Sequence, residues 1–239
     1  MYEGTSYFGY QIQPKEEEIS IQEEIQKVLK RIFQEDIKIV SSGRTDRGVH
    51  ALKQCFHFDL NRPIDTYKIK HSLNCLLPKD IYISSLEEVS EDFHARFSVV
   101  DKTYMYVINE GEYNPFLNDL VYNFNDELDV EKMKDASRLF VGEHSFHNFC
   151  SNDEDFVRTI NYLTIERKND YLIININGNG FRRYMVRMIV GTLIEVGLNK
   201  LSIEELKKLF DEEMNRVSYK APASGLYLKD INYGGNNND

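Results

Sequence analysis

Ser42-Gly43-Arg44-Thr45-Asp46-Arg47-Gly48-Val49-His50-Ala51 packs a carboxylate, two guanidiniums and a histidine between two glycines. An apolar run, residues 37–40, precedes it, and an alternating run, Gln54-Cys55-Phe56-His57-Phe58-Asp59-Leu60, follows. The whole reads as a strand, a tight loop and a second extended segment. Glycine opens backbone conformations closed to other residues, so the loop can aim a short acidic side chain away from the sheet. Asp46 is therefore the candidate centre of any chemistry.

Outward from this loop, periodicity organises the chain of 239 residues, 41% of them hydrophobic, enough for a substantial core. Residues 2–13 read as the end of a strand running into a loop. Residues 15–34 carry Ile21, Ile25, Val28, Leu29, Ile32 and Phe33 at helical spacing. Beyond the second extended segment the spacing predicts a short helix over 63–73, a strand over 81–86 and a strand over 103–108 rich in β-branched and aromatic residues. A helix over 128–141 is expected to end at Gly142, and residues 144–149 read as a loop. Residues 158–167 and 171–177 form a strand pair turning at Asn169-Asp170. Helices over 181–196 and 203–210 and a strand over 226–233 follow, and the final Asn and Asp residues read as a frayed end. Strands and helices mix without strict alternation, which predicts an α+β fold: a largely antiparallel mixed sheet flanked by helices, in two similar halves meeting at a central cleft. The expected division is 1–98, carrying the Asp46 loop, and 99–239, completing the cleft.

The net charge of −10 argues against a partner held by overall attraction. Acids cluster at residues 16–18, 87–92, 126–135, 153–155 and 204–213, whereas Arg44, Arg47, Arg96, Lys102, Arg182, Arg183 and Arg187 sit in or beside Gly-bearing or aromatic stretches. A basic cleft on an acidic body and solvated helix faces with scattered arginines are both consistent with this pattern. The three cysteines are far apart and odd in number, so neither a disulfide framework nor a Cys-rich metal site is indicated. No apolar run reaches membrane-spanning length and no basic leader precedes an apolar stretch, so the reading is a soluble, cytoplasmic protein with no membrane partner.

The segment 181–196 is apolar nearly all round and reads as a buried helix. Arg187 falls on the face of Val190 and Ile194, and a buried guanidinium demands a carboxylate. Asp46 is the candidate partner; pairing would keep it ionised against burial. An ionised aspartate in a cleft is a nucleophile or a general base, and the same pair also reads as a structural tie between the halves.

These residues resemble the TruA-type tRNA pseudouridine synthases nearly end to end. Gly43-Arg44-Thr45-Asp46-Arg47-Gly48-Val49-His50 is similar to that family's catalytic motif, Gly-Arg-Thr-Asp-x-Gly-Val-His. Tyr2-Glu3-Gly4-Thr5 with Gly9-Tyr10-Gln11, Phe93-His94-Ala95-Arg96-Phe97-Ser98, Lys102-Thr103-Tyr104-Met105-Tyr106, Arg158-Thr159-Ile160, Met185-Val186-Arg187 with Ile189-Val190-Gly191, and Ala221-Pro222-Ala223 with Gly225-Leu226 follow in order. The resemblance implies isomerisation of uridine to pseudouridine in the anticodon stem-loop of tRNA, at positions 38 to 40, without cofactor or metal, by a homodimer. It implies Asp46 as nucleophile at ribose C1′ or uracil C6, with Arg187 as its ion-pair partner. Tyr104 would stack on the target base and accept a proton from C5, Leu226 would line an apolar wall, and Arg44 would hold the flipped nucleotide. Tyr104 and Leu226 also read as plain strand and core residues. A non-catalytic RNA-binding member and a synthase acting on another structured RNA are alternative readings; a carboxylate-dependent hydrolase lacks a second carboxylate in the motifs.

The chain departs from the family pattern in four places. It starts almost at the Tyr-x-Gly-Thr segment, so most of the family's first strand is expected to be missing. Tyr10 stands where Trp is usual. Arg182 and Arg183 replace apolar and aromatic residues, and Arg47 occupies a variable position that is often Ala, so these arginines are expected to add positive charge to the site.

Overall fold

Helical spacing runs through residues 15–34, yet in the computed structural model α1 begins only at Ile21 (Ile21–Phe33), where the Ser20 hydroxyl accepts the Glu23 N–H at 3.2 Å. The structure describes residues 1–15, 17–151, 155–211, 217 and 219–234. The acidic positions Glu16, Asp153, Glu154, Glu212 and Glu213 and the C-terminal end, 235–239, lie outside the described residues.

The chain divides into two compact units, Met1–Val100 with Asp230–Asp239, and Asp101–Lys229; the sequence places its division at residue 98. In the first unit, α1 buries Ile21, Ile25, Val28, Leu29 and Phe33 and packs against α2 (Thr66–Leu76). β1 (Val40–Ser41) leads into the Asp46 loop, β2 (His50–Ala51) leaves it, and β3 (Phe56–His57) returns antiparallel to β1. The predicted strand over 81–86 is reduced to a single bridge between Ile81 and Tyr2. Asn74 on α2 is the reason: its side chain accepts the Ile83 N–H at 2.8 Å and donates to the Ile83 carbonyl at 2.9 Å, taking the backbone groups a ladder would use.

In the second unit the strands run in the order β9 (Leu226–Asn232), β4 (Asp101–Asn109), β8 (Tyr171–Gly178), β7 (Val157–Lys168) and β6 (Gly142–Ser145), with β5 (Tyr122–Asn123) parallel to β4. β4 (Asp101–Asn109) and β8 (Tyr171–Gly178) are antiparallel, pairing Tyr104 with Ile176, Tyr106 with Ile174 and Ile108 with Leu172, so one buried row continues across both strands. β7 (Val157–Lys168) joins β8 through a turn in which Asn169 takes φ 53°, a conformation asparagine tolerates. β5 is Tyr122–Asn123, and β9 (Leu226–Asn232) ends in residues that belong to the first unit. α3 (Val130–Ser137) packs on α4 (Met185–Gly197) and on β7, and α5 is Ile203–Lys208. The helix predicted over 128–141 gives way to a 3₁₀ turn, Arg138–Phe140. Gly142, at φ 109°, opens β6 (Gly142–Ser145), which occupies part of the predicted loop by pairing with β7. The fold is α+β with a mixed sheet and flanking helices, and among the described residues no helix is long and apolar enough to cross a membrane.

Residues 2–11 serve as the bed of the Asp46 loop. Tyr2 exchanges both backbone hydrogen bonds with Ala51, at 2.8 and 3.0 Å, and the Gly4 N–H donates to His50 Nδ1 at 3.0 Å. A Cβ on Gly4 would sit 2.0 Å from the Val49 carbonyl oxygen, a contact only backbone movement relieves. Gly4→Ala should therefore destabilise the protein by about 2 to 3 kcal/mol, the cost of overpacking a tight contact. Gly180→Ala, whose new methyl would meet Arg158 Nε at an ordinary 3.6 Å, should stay within about 0.5 kcal/mol of the parent. Urea unfolding of both variants measures the difference, and equal stabilities would contradict the close packing.

Candidate active site

The Asp46 loop is held from three sides. The Ser42 hydroxyl donates to Gln54 Oε1 at 2.6 Å while Gln54 Nε2 donates to the Gly43 carbonyl at 2.9 Å, so one amide side chain fixes both residues that open the loop. The Tyr2 and Thr45 hydroxyls share a bond of 2.7 Å, and the Tyr10 N–H donates to the Thr45 carbonyl at 3.2 Å. The loop then closes in a turn, the Val49 N–H donating to the Asp46 carbonyl at 3.2 Å, with Gly48 at φ 76° in the position that needs glycine. Thr45 and Val49 are buried on either side of a half-buried Asp46, which fixes the aspartate's backbone between two anchors.

Arg44 and Arg47 are exposed on the same loop. Arg44 donates to Gln11 Oε1 at 3.1 Å, and the Arg47 guanidinium lies 4.0 Å from the centroid of the Phe8 ring, a cation–π contact. Both arginines are thus steered by side chains from residues 2–11. Phe93-His94-Ala95-Arg96-Phe97-Ser98 forms a self-closed turn: His94 Nδ1 accepts the Arg96 and Phe97 N–H groups at 3.1 and 3.2 Å, and His57 Nδ1 accepts that of Ala95 at 3.1 Å. Burial and the neighbouring His94 lower the His57 pKa, which favours the neutral ring this hydrogen bond requires.

In the second unit, Tyr104 is buried on β4 with its ring edge-on to Phe181, centroids 5.1 Å apart. Leu226 is buried at the start of β9. The helix predicted over 181–196 starts at Met185 because Tyr184 takes a left-handed conformation, φ 65°. Val186, Val190 and Ile194 are buried as the spacing requires, but Arg187 is half-buried rather than deeply enclosed. Its Nε donates to the Ala221 carbonyl at 2.7 Å and its own carbonyl accepts the Ala221 N–H at 3.0 Å, so the Ala221-Pro222-Ala223 segment is tied to α4 on both sides of one residue. Tyr106, fully buried on β4, donates to the Pro222 carbonyl at 2.8 Å. Burial pushes its hydroxyl well above the ordinary tyrosine range, with the Arg187 charge pulling the other way, so it remains a donor. Asp46 and Arg44 thus belong to the first unit, and Arg187, Tyr104 and Leu226 to the second.

The two arginines expected to enrich the site in charge behave differently. Arg182 is neutralised locally, its Nε on the Asp155 carbonyl at 2.8 Å and its terminal nitrogen on the Asp155 carboxylate at 2.7 Å. Arg158 shares that carboxylate at 3.1 Å and, with Arg182, holds it below the usual carboxylate range. Arg183 is exposed against Tyr184. Tyr184 and Lys220 are neighbours of Arg187 that the sequence reading does not single out as site residues; their position beside the Met-Val-Arg and Ala-Pro-Ala motifs is the available signal, as membership of the 102–106 segment is for Tyr106.

A family model described as tRNA pseudouridine synthase matches residues 1–98 and 136–234. The chain is 39% identical to tRNA pseudouridine synthase A 2 of Clostridium tetani over 237 residues, 97% of this chain and 96% of that protein. It is 41% identical to tRNA pseudouridine synthase A of Bacillus pumilus, with 97% and 96% covered, and 40% identical to that of Malacoplasma penetrans, with 95% of each covered. With the glycine-framed Asp46 loop and the other motif segments falling within this end-to-end likeness, the chain belongs to the tRNA pseudouridine synthase family.

Proposed function

We propose that this protein isomerises uridine to pseudouridine in the anticodon stem-loop of tRNA, at positions 38 to 40, with Asp46 as the nucleophile. The observation that carries the reading is the loop itself: a half-buried aspartate fixed between buried Thr45 and Val49, inside the stretch that the family model matches. The reaction conserves every atom and electron. The carboxylate adds to ribose C1′ with departure of the uracil, or to uracil C6; either route breaks the N1–C1′ bond. The freed base rotates, C5 bonds to C1′, the Asp46 adduct is released, and the C5 proton is lost as N1 gains one. No cofactor or metal is required by this balance.

The remaining side chains position and assist in this reading. Arg187 keeps Asp46 ionised as its partner, its guanidinium oriented by the Ala221 carbonyl. Tyr104 stacks on the target base and takes the C5 proton, Leu226 forms the apolar wall, and Arg44 grips the flipped nucleotide. The protein acts as a cytoplasmic homodimer on tRNA, and an acidic chain binds that polyanion through local arginines with strongly salt-dependent affinity.

Asp46→Asn should reduce tritium release from tRNA carrying 5-tritiated uridine by about a thousandfold or more, with tRNA affinity changed less than about threefold. An active Asp46→Asn variant would sink the nucleophile assignment. Arg187→Lys keeps the charge and loses the planar fork, so kcat should fall roughly tenfold to a hundredfold; an unchanged kcat would remove Arg187 from its role.

A further inference from the structure

Three cations of the second unit converge on one aromatic ring. Lys220 Nζ lies 3.7 Å from the Tyr184 ring centroid, the Arg183 guanidinium carbon 4.8 Å and that of Arg187 5.7 Å. Arg183 also donates to the Tyr184 hydroxyl at 2.9 Å. A ring face attracts a cation, but like charges brought this close repel one another, so the ring alone does not account for two exposed cations gathered beside a third. The neighbouring arginines show the ordinary solution: Arg158 and Arg182 share the carboxylate of Asp155. Among the described residues, neither Arg183 nor Lys220 forms an ion pair with a carboxylate.

We propose that Arg183 and Lys220, seated on Tyr184, form a clamp for a phosphodiester of the RNA substrate, at a nucleotide next to the one isomerised. The identity of the ligand as RNA rests on the function proposed above. The chemistry favours this anion in three ways. A guanidinium fork matches two non-bridging phosphate oxygens, and an ammonium adds a point charge without demanding fixed geometry. Arg187, the proposed partner of the nucleophile, faces the same ring, which sets the clamp one side chain away from the proposed chemistry. The chain as a whole carries a charge of −10, so a polyanion is held only where cations are concentrated. Of Arg182 and Arg183, adjacent in sequence, only Arg182 is engaged by Asp155, which leaves the Arg183 guanidinium to the Tyr184 side.

The test compares Arg183→Ala/Lys220→Ala with the parent, with Arg183→Lys/Lys220→Arg, and with Lys168→Gln, an exposed lysine at the far end of β7. Binding of a tRNA transcript is measured across a salt series, and tritium release gives kcat and KM. The double alanine variant should bind and show KM roughly tenfold weaker, with kcat within about twofold, melting temperature unchanged, and the slope of log Kd against log salt shallower by about one. The conservative pair should restore most of the affinity and Lys168→Gln should match the parent. A double alanine variant with the parent's Kd and salt slope overturns the clamp, as does one that loses kcat while keeping that slope. A parent that binds tRNA but releases no tritium overturns the proposed reaction and leaves the salt slope to decide the clamp; a parent that does not bind tRNA overturns both.

Discussion

Everything proposed for Asp46 depends on a backbone contact: Gly4 lies so close to the Val49 carbonyl that no side chain fits between them, and its N–H reaches the ring of His50. That contact, with the Tyr2–Ala51 bonds and the Tyr2–Thr45 hydroxyl pair, fixes the end of the loop from beneath. Gln54 fixes its beginning. A nucleophile gains from such support because its orientation is settled before substrate arrives, and a reacting group already held in place lowers the barrier by entropy lost in advance. Two glycines therefore serve the loop in different ways: Gly48, within the motif, supplies the positive φ of the turn, and Gly4, outside it and distant in sequence, supplies the space the turn rests on.

The second unit uses a similar device on different elements. Ala221 is bonded twice to Arg187, and Pro222 is held by a tyrosine hydroxyl buried in the sheet. Arg187 is thus positioned by backbone carbonyl and helix together, and its orientation is coupled to the strand that begins at Leu226. Tyr106 holds Pro222 through a hydroxyl whose pKa burial raises further above the ordinary tyrosine range.

What the sequence revealed follows physical lines. α1, β4 and the β7–β8 hairpin were legible because their apolar spacing or turn chemistry is local, as where Asn169 tolerates the turn, whereas the start of α1 at the Ser20 cap was not, since helical spacing runs back to residue 15. The strand predicted over 81–86 failed because Asn74, from another element, takes the hydrogen bonds of Ile83. The late start of α4 was hidden because nothing local announces a tyrosine at positive φ. Asp46 was singled out by its glycine-framed loop, Arg187 by the apolar helix around it, and Arg44, Tyr104 and Leu226 by motif, whereas their supports, Gln54, Tyr2 and the carbonyl of Ala221, emerge only from contacts between distant segments. Charge was the least legible property. Arg182 and Arg183 are neighbours of equal composition, yet one is spent on Asp155 and the other stands with Lys220 over Tyr184.

If the glycine-framed aspartate serves a uridine isomerase of the anticodon arm, the product must appear at defined positions of the tRNA. The most direct measurement incubates the purified protein with an unmodified tRNA transcript bearing uridines throughout, including positions 38, 39 and 40, and maps pseudouridine by carbodiimide labelling and reverse transcription. New stops are expected at those anticodon-arm uridines alone. A transcript without new stops, or with stops only outside the anticodon arm, would contradict the claim.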